Sequence, residues 1–149
     1  MKASKTIMIA CLLITILLSG CNRNAADMVV NGSVTVNEEA ETLTFSGVLT
    51  DEALESETPF RARFFLQGKT IKNALGTDLI YTDEELKSRK EGEDPKEYKV
   101  EKTVEIKKFK EIDKVISEIK DEDKESVTIE IVNDNGRIDD KVLHDIEKE

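Results

Sequence analysis

Alternation of apolar and polar residues predicts three short β-strands in the first half of the body of the chain. The first starts at about Met28, and we expect Asn31-Gly32 to interrupt it as a bulge. The second covers residues 42 to 49 and the third residues 60 to 67. In each run one parity is mainly apolar, which is typical of a half-buried strand. The apolar parity of the first strand holds Val30, Val34 and Val36.

The pattern continues with a strand and then changes to a helical period. Residues 98 to 106 alternate, except that Lys102 falls on the apolar parity, which indicates a bulge or an edge strand. Between Lys108 and Lys120 the apolar residues are spaced by three and four, and this predicts one amphipathic helix. The stripe consists of Phe109, Ile112, Ile116 and Ile119.

The C-terminal part of the chain predicts a hairpin. Val127, Ile129 and Ile131 alternate with polar residues, and Asn135-Gly136 follows as a turn dipeptide of the kind that needs positive φ at both positions. The closing segment, 137 to 146, suits either a last strand or a helix. Pairing through the hairpin favours the strand.

Residues 68 to 97 give the weakest pattern. Apolar residues recur at intervals of four from Ile71 to Leu79, so a helical turn is possible there, but two glycines argue against a long helix. Residues 82 to 97 are dominated by charged side chains. We expect an exposed insertion with one short helix after Thr82.

Six or seven short strands and one helix predict an all-β fold, or a β-rich α+β fold. The arrangement that fits best is a small antiparallel β-sandwich formed by residues 28 to 149, with the helix before the last hairpin. It resembles an immunoglobulin-like domain in strand count and order alone, because the chain has no Trp and no cysteine pair for such a core. The alternative is a single sheet with the helix packed on it.

Ahead of this body, residues 1 to 20 have the features of an export signal. Lys2 and Lys5 precede an apolar run of secretory length, Ile7 to Leu18, which is too short to cross a bilayer as a helix. The run ends in Leu18-Ser19-Gly20-Cys21. We therefore expect cleavage between Gly20 and Cys21.

The tetrad Leu18-Ser19-Gly20-Cys21 resembles the lipobox of bacterial lipoproteins, which have a type II signal peptide. The resemblance implies that Cys21 carries diacylglycerol and, where the host has the acyltransferase, an amide-linked fatty acid. Two acyl chains give the stable membrane attachment that one does not. The chain is then held on the outer side of the cell membrane, with the lipid bilayer as its first partner. Residues 21 to 27 form a lipidated N-terminus and tether, of which the last six reach about 20 Å.

The negative net charge of the chain limits the classes of partner that it can bind. The chain has 22 basic and 32 acidic residues and a formal net charge of −10, and removal of Lys2 and Lys5 with the leader makes the mature chain more acidic. Nucleic acid repels such a surface. We therefore expect no nucleic-acid partner, and either an envelope protein or a small ligand instead.

The residue types for familiar catalytic sites are scarce. The chain has two cysteines and one histidine, and Cys11 lies within the leader while Cys21 is the expected lipid carrier. His144 is predicted to be a solvated side chain. We predict no catalytic residue, no zinc or other metal site and no cofactor.

Two clusters remain as candidate sites. Arg61, Arg63 and an exposed Phe65 lie on one parity of the third strand and form a possible contact patch for an anionic or aromatic partner. The alternative is that the arginines pair across strands with glutamates such as Glu101 or Glu105.

Calcium is the second candidate. Oxygen-bearing side chains gather in Asn133-Asp134-Asn135-Gly136 and in Asp139-Asp140, but Ile131 stands where the first ligand of an EF-hand loop would be. The hairpin is the favoured interpretation of this segment. Taken together, these features predict a lipid-anchored, non-enzymatic binding module of the cell envelope. The alternatives are a small envelope enzyme, an enzyme inhibitor or a calcium-dependent ligand-binding domain.

Overall fold

Two β-sheets packed face to face make up most of the chain. The computed structural model describes residues 27 to 149. The predicted cleavage site, the predicted lipid attachment at Cys21 and the predicted tether as far as residue 26 lie outside the described residues. Neither α-helix within the described part has the length and apolarity needed to cross a membrane.

The elements follow one another as strands with two helical interruptions. The strands are β1 (Val29–Asn37), β2 (Thr42–Thr50), β3 (Pro59–Leu66), β4 (Leu79–Tyr81), β5 (Leu86–Lys87), β6 (Glu97–Glu105), β7 (Val127–Asn133), β8 (Gly136–Val142) and β9 (Ile146–Lys148). The helices are α1 (Lys69–Leu75) and α2 (Ile112–Lys120), and a 3-10 turn, Phe109–Glu111, leads into α2.

The division of strands between the sheets confirms the predicted sandwich. The first sheet has the order β6-β2-β1-β9 and the second β4-β3-β7-β8, with β5 paired to the start of β3. An immunoglobulin sandwich also has its A, B and E strands in one sheet and its C, F and G strands in the other. One pair departs from the prediction, because β9 runs parallel to β1.

The core lies between the sheets, and its apolar side chains come from both. The rings of Phe45 in β2 and Phe64 in β3 have centroids 5.3 Å apart, and both side chains are fully buried. The sheets approach closely at Gly47, where an added Cβ would overlap Ile129 of β7. Gly47 in β2 therefore makes room for a core side chain of the opposite sheet.

The predicted bulge in β1 exists, but it changes which valine is buried. The register with β2 shifts between Val29 and Asn31, so Val30 is the extra residue. Val30 is 47% exposed, whereas Val29 is buried. The prediction that Val30 shares the apolar face of Val34 and Val36 is wrong because the bulge reverses the alternation at this point.

The amphipathic helix before the last hairpin is confirmed. Its buried residues are Ile112, Val115 and Ile119, so the buried stripe includes Val115, which the predicted stripe left out. α1 forms within the segment of weak pattern and ends at Gly76, whose φ of +73° caps the helix. Glu118 of α2 accepts hydrogen bonds from the backbone N–H groups of Thr70 and Ile71 at 3.1 and 2.9 Å and so caps the start of α1.

The charged segment 82 to 97 is not a free insertion, and the short helix predicted after Thr82 is absent. Instead β5 pairs with β3, and Ser88 is buried. The Ser88 hydroxyl donates to the carbonyl of Glu55 at 2.6 Å and accepts from the N–H of Thr58 at 2.8 Å. The segment therefore packs on the loop between β2 and β3.

Asp51, a fully buried carboxylate, holds the same segment from the end of β2. It accepts hydrogen bonds from the backbone N–H groups of Arg89 and Lys96 at 2.6 and 2.8 Å and from the Tyr98 hydroxyl at 2.9 Å. The Arg89 guanidinium, which is partly exposed, lies 3.2 Å from Oδ1 of Asp51. Burial alone would raise the pKa of Asp51, but these donors outweigh it and the pKa is lowered. Burial and the bond to Asp51 raise the pKa of Tyr98 to about 12.

The position of β6 in the first sheet explains why Lys102 can occupy the apolar parity of the strand. β6 is the edge strand of the first sheet, as its inward charge predicts. The Lys102 ammonium lies 2.6 Å from a carboxylate oxygen of Asp83, which belongs to the charged segment. The edge of the sheet is thus covered by a residue of that segment.

The predicted hairpin is confirmed, but its turn is not the primed type. Asn133 pairs with Gly136, so the two loop residues are Asp134 and Asn135 rather than Asn135 and Gly136. Positive φ at non-glycine residues is confined, within residues 27 to 149, to Glu41 and Glu57, while Gly136 has a φ of +116°. Only Gly136 in this turn therefore needs the freedom of glycine.

We expect Gly136→Val to lower the free energy of unfolding by about 1–3 kcal/mol, because the strained backbone alone sets the cost. An added Cβ would meet no atom within 4 Å. A φ of +116° also lies beyond the left-handed region near +57° that asparagine enters readily, so Gly136→Asn should be costly too. Chemical denaturation measures all variants.

Asn135→Ala is the matched control for this turn. Because Asn135 has no positive φ, its replacement should change the free energy of unfolding by no more than about 0.5 kcal/mol. A primed turn would instead need positive φ at both positions. Equal losses at 135 and 136 would contradict the turn described above.

The final segment is a strand only in part. β8 ends at Val142, and the chain then crosses to the first sheet, where Ile146 pairs with Val34. The predicted single element over 137 to 146 is therefore two strands in different sheets. This crossing brings β9 beside the end of β1, whereas β8 contacts the start of β1.

Two polar residues of β8, the buried Asp139 and the exposed Lys141, hold the start of β1. Asp139 accepts hydrogen bonds from the N–H groups of Met28 and Val29 at 2.8 and 3.3 Å. The Lys141 ammonium donates to the carbonyl oxygens of Val29 and Val30 at 3.5 and 3.3 Å. Met28 itself is fully buried and belongs to the core.

Candidate functional site

The outer face of the second sheet collects most of the arginines of the chain. The sheet register places the outward-facing side chains of β4, β3, β7 and β8 in rows. One row is Tyr81, Arg63, Glu130 and Asp140, and the next is Arg61, Val132 and Arg137. Three arginines from two non-adjacent strands thus flank the same strand, β7.

Glu130 lies at the centre of this arrangement. Its side chain is only 6% exposed, and its two oxygens lie 2.6 Å from Arg63 Nε and 3.3 Å from the Arg137 guanidinium. Burial alone would lower the pKa of Arg63, but the bond to Glu130 raises it. A buried carboxylate needs a cationic partner, so Arg63 is committed to Glu130.

Arg61 and Arg137 are the more available arginines. Arg61 bonds to a single oxygen of Glu85, and the two side chains are 57% and 56% exposed. Arg137 is 49% exposed, and its Nε lies 3.6 Å from Asp140. Exposed ion pairs of this kind contribute about 0–1 kcal/mol, so the Arg61–Glu85 and Arg137–Asp140 pairs exchange partners at little cost. Arg137 also lies 3.3 Å from the buried Glu130, which keeps Arg63 as its closer partner.

A cleft of about 360 Å³ opens between these arginines. Val132 lies between Arg61 and Arg137, Phe60 and Pro59 form one side, and the turn of the β7–β8 hairpin forms another. Tyr81 lines the rim and is 52% exposed, one of two large apolar side chains in residues 27 to 149 that are this exposed. The volume is within the range of small-molecule sites.

The structure brings together two of the three residues predicted as a contact patch. Arg61 and Arg63 line the cleft, whereas Phe65 is half-buried rather than exposed and lies one row further along, between Leu79 and Thr128. The alternative prediction, that these arginines pair with glutamates, is confirmed, but the glutamates are not the predicted ones. The arginines bond to Glu85 and Glu130, because Glu101 and Glu105 belong to β6 of the other sheet.

Comparison with known proteins adds no name to this site. No family model, curated protein or solved structure matches the chain. The chemistry of the cleft must therefore be argued from its own residues.

The remaining candidate residues have structural roles. His144 is half-buried, and its Nδ1 lies 3.0 Å from the carbonyl of Ile119 at the end of α2, so the prediction of a solvated side chain is wrong. Asp139, part of the possible calcium cluster, is turned inward to Met28 and Val29. Within residues 27 to 149 no three His, Cys, Asp or Glu side chains are grouped so that they could hold a metal ion.

Sequence reasoning missed Tyr81, Glu130 and Arg137 as members of the site. The alternation of β7 places Glu130 on its polar face, and the hairpin turn places Arg137 close behind it in the chain. The sequence does not reveal that β3 pairs with β7. This pairing brings Arg63 to Glu130, which lies 67 residues further along the chain. A search for arginine and glutamate on facing polar parities would have found the pair as one of several possibilities.

Proposed function

We propose that this chain is a lipid-anchored lipoprotein on the outer side of the cell membrane that acts as a non-enzymatic binding module. The observation that carries the proposal is the sequence Leu18-Ser19-Gly20-Cys21 at the end of an apolar run, seven residues before the buried Met28. A body that starts so soon after the lipid attachment point is held within about 20 Å of the membrane.

The composition of the exposed face supports binding rather than chemistry. Arginine and tyrosine are the side chains that most often dominate protein interfaces, and Arg61, Arg137 and Tyr81 are all about half exposed on one face. Apart from Tyr81 and Asp134 on the rim, the titratable groups of the cleft are arginines paired with carboxylates, and such pairs supply neither a free base nor a nucleophile.

The position of the cleft suits a partner in or on the same membrane. β3 begins, β7 ends and β8 begins at the end of the sandwich where Met28 enters β1, since Asp139 of β8 bonds to Met28. The cleft is thus at the end of the domain that carries the tether. A membrane protein with a short extracytoplasmic segment would reach it.

Substitution of the lipid-bearing cysteine tests the anchor. We expect Cys21→Ser to move the protein from the membrane pellet to the soluble fraction, because serine has no thiol to form the thioether. Cys11→Ser is the matched control, since this cysteine lies within the leader and its loss should leave the protein in the pellet. Fractionation after a high-salt wash, with immunoblotting, measures both variants.

The mass of the pelleted protein gives a second readout of the anchor. We expect a mature chain that begins at residue 21 and carries additional acyl mass on Cys21. If the Cys21→Ser variant still sediments quantitatively with membranes, the anchor proposal fails.

A further inference from the structure

The use of arginine rather than lysine marks the cleft as a place of specific recognition. The chain contains 22 Lys and Arg residues, of which only five are arginines: Arg23, Arg61, Arg63, Arg89 and Arg137. Of the four within residues 27 to 149, Arg89 is bound to Asp51 and the other three line the cleft. Arginine presents a planar fork of donors that fits a carboxylate or phosphate, whereas lysine offers a point charge.

The two exposed arginines of the cleft lie on either side of one residue. Arg61 and Arg137 flank Val132 on the two strands next to β7. Neighbouring strands lie about 4.8 Å apart, so the backbones of Arg61 and Arg137 are about 10 Å apart. Two arginine side chains can span this distance and meet above Val132. Arg61 uses Nε and one terminal nitrogen on the same oxygen of Glu85, which leaves its other terminal nitrogen free for a ligand.

The acidic groups around the cleft restrict the charge of the anion. Glu85 lines it, Glu130 lies beneath it, and Asp134 stands on its rim without a side-chain hydrogen bond or ion pair to any other described residue. A dianion or a polyanion is repelled by these carboxylates, in addition to the overall charge of −10. A single carboxylate is repelled least.

The uncharged part of the cleft indicates what the carboxylate is attached to. Val132 and Pro59 provide apolar surface beside the arginines, whereas the Phe60 side chain is buried beneath them, and the half-exposed Tyr81 ring stands at the opening. An apolar or aromatic group next to the carboxylate would cover this surface and displace water from it.

We propose that the cleft binds a monocarboxylate with an adjoining apolar group, the carboxylate being held by Arg61 and Arg137 above Val132. The C-terminus of a polypeptide and a free small acid both have this chemistry. Arg63 is a positioning residue that keeps Glu130 neutralised from below. The inference deepens the proposed binding function and gives its ligand class.

The probes are N-acetylphenylalanine and its amide, N-acetylphenylalaninamide, which differ only in the carboxylate. The full chain is purified from whichever cell fraction contains it, so a failure of the anchor proposal leaves this test intact. Binding is followed by nuclear magnetic resonance of the backbone amides and arginine side chains. For a ligand of this size we expect a dissociation constant of about 1 mM for the acid and at least about tenfold weaker binding of the amide.

Variants separate recognition from net charge. Arg61→Lys combined with Arg137→Lys keeps the charge and the bond from Arg63 to Glu130, and we expect it to weaken binding of the acid about tenfold, because the planar forks are lost. Lys99→Gln lies on the other sheet and removes one positive charge, and it should leave binding unchanged. The shifted resonances of the natural chain should include Val132 and the Arg61 and Arg137 side chains.

Three results would overturn the proposal: equal binding of acid and amide, shifts confined to residues outside the cleft, or tighter binding of inorganic phosphate than of the acid at the same residues. A tetrapeptide ending in phenylalanine, with a free or an amidated C-terminus, distinguishes the two sources. Tighter binding of the free peptide than of N-acetylphenylalanine supports a polypeptide ligand. Equal binding of these two acids supports a small acid.

Discussion

Replacement of Asp51 by alanine is expected to lower the free energy of unfolding by about 3–5 kcal/mol, measured by chemical denaturation. The carboxylate is fully buried, and its loss leaves the N–H groups of Arg89 and Lys96 and the Tyr98 hydroxyl without their acceptor. The Arg89 guanidinium loses its charged partner at the same time.

Glu93→Gln is the control for Asp51→Ala. Glu93 belongs to the same charged segment, but its ion pair with Lys96 is exposed, so its replacement should change stability by no more than about 0.5 kcal/mol. Similar losses for the two variants would show that segment 82 to 97 is not held through Asp51.

The stability that Asp51 provides should depend on pH in a defined window. Since its folded pKa is lowered, the contribution is complete above the unfolded value of about 3.9 and is lost as the pH falls through the folded value. The difference in unfolding free energy between the natural chain and Asp51→Asn should therefore shrink below about pH 4. A difference that grows on acidification would contradict the sign of the shift.

The second large effect is expected at Phe64 in the core. Phe64→Ala should lower the free energy of unfolding by about 3–5 kcal/mol, because the side chain is fully buried and its ring contacts Phe45 of the opposite sheet. Chemical denaturation followed by far-ultraviolet circular dichroism measures the loss.

Tyr81→Ala is the matched control, since Tyr81 also has a large ring in the second sheet but is 52% exposed. We expect a much smaller loss of stability, about 1 kcal/mol or less. A large loss at Tyr81 would mean that the rim of the cleft is part of the folding core rather than an exposed surface.

Local patterns predicted those features that depend on neighbouring residues. The alternation of Leu43, Phe45 and Leu49 gave β2, and the spacing of Ile112 and Ile119 gave α2, because burial on one side of an element leaves a periodic trace in the sequence. The bulge at Val30 was predicted from Asn31-Gly32, but its effect on the alternation was not.

Features that depend on distant residues were missed. The pairing of β3 with β7, which brings Arg63 to Glu130, and the parallel pairing of β9 with β1 join segments that no local pattern relates. The buried role of Asp51 was hidden for the same reason, since its acceptor function is defined by Arg89 and Lys96, about 40 residues along the chain. Electrostatic complementarity between strands becomes visible only when the register is known.

The hydrogen bonds from Met28 and Val29 to Asp139 have a mechanical consequence. Under the proposed anchor at Cys21, a pull on the N-terminus enters the described domain at Met28, where it loads the nine-residue β1 ladder in shear and the bonds to Asp139 of β8 in parallel. Asp139 is two residues from Arg137, so under the proposed binding function a force between the anchor and a ligand in the cleft would pass through the first residues of β8. The two helices follow the ends of β3 and β6, at the opposite end of the sandwich from Met28 and Asp139.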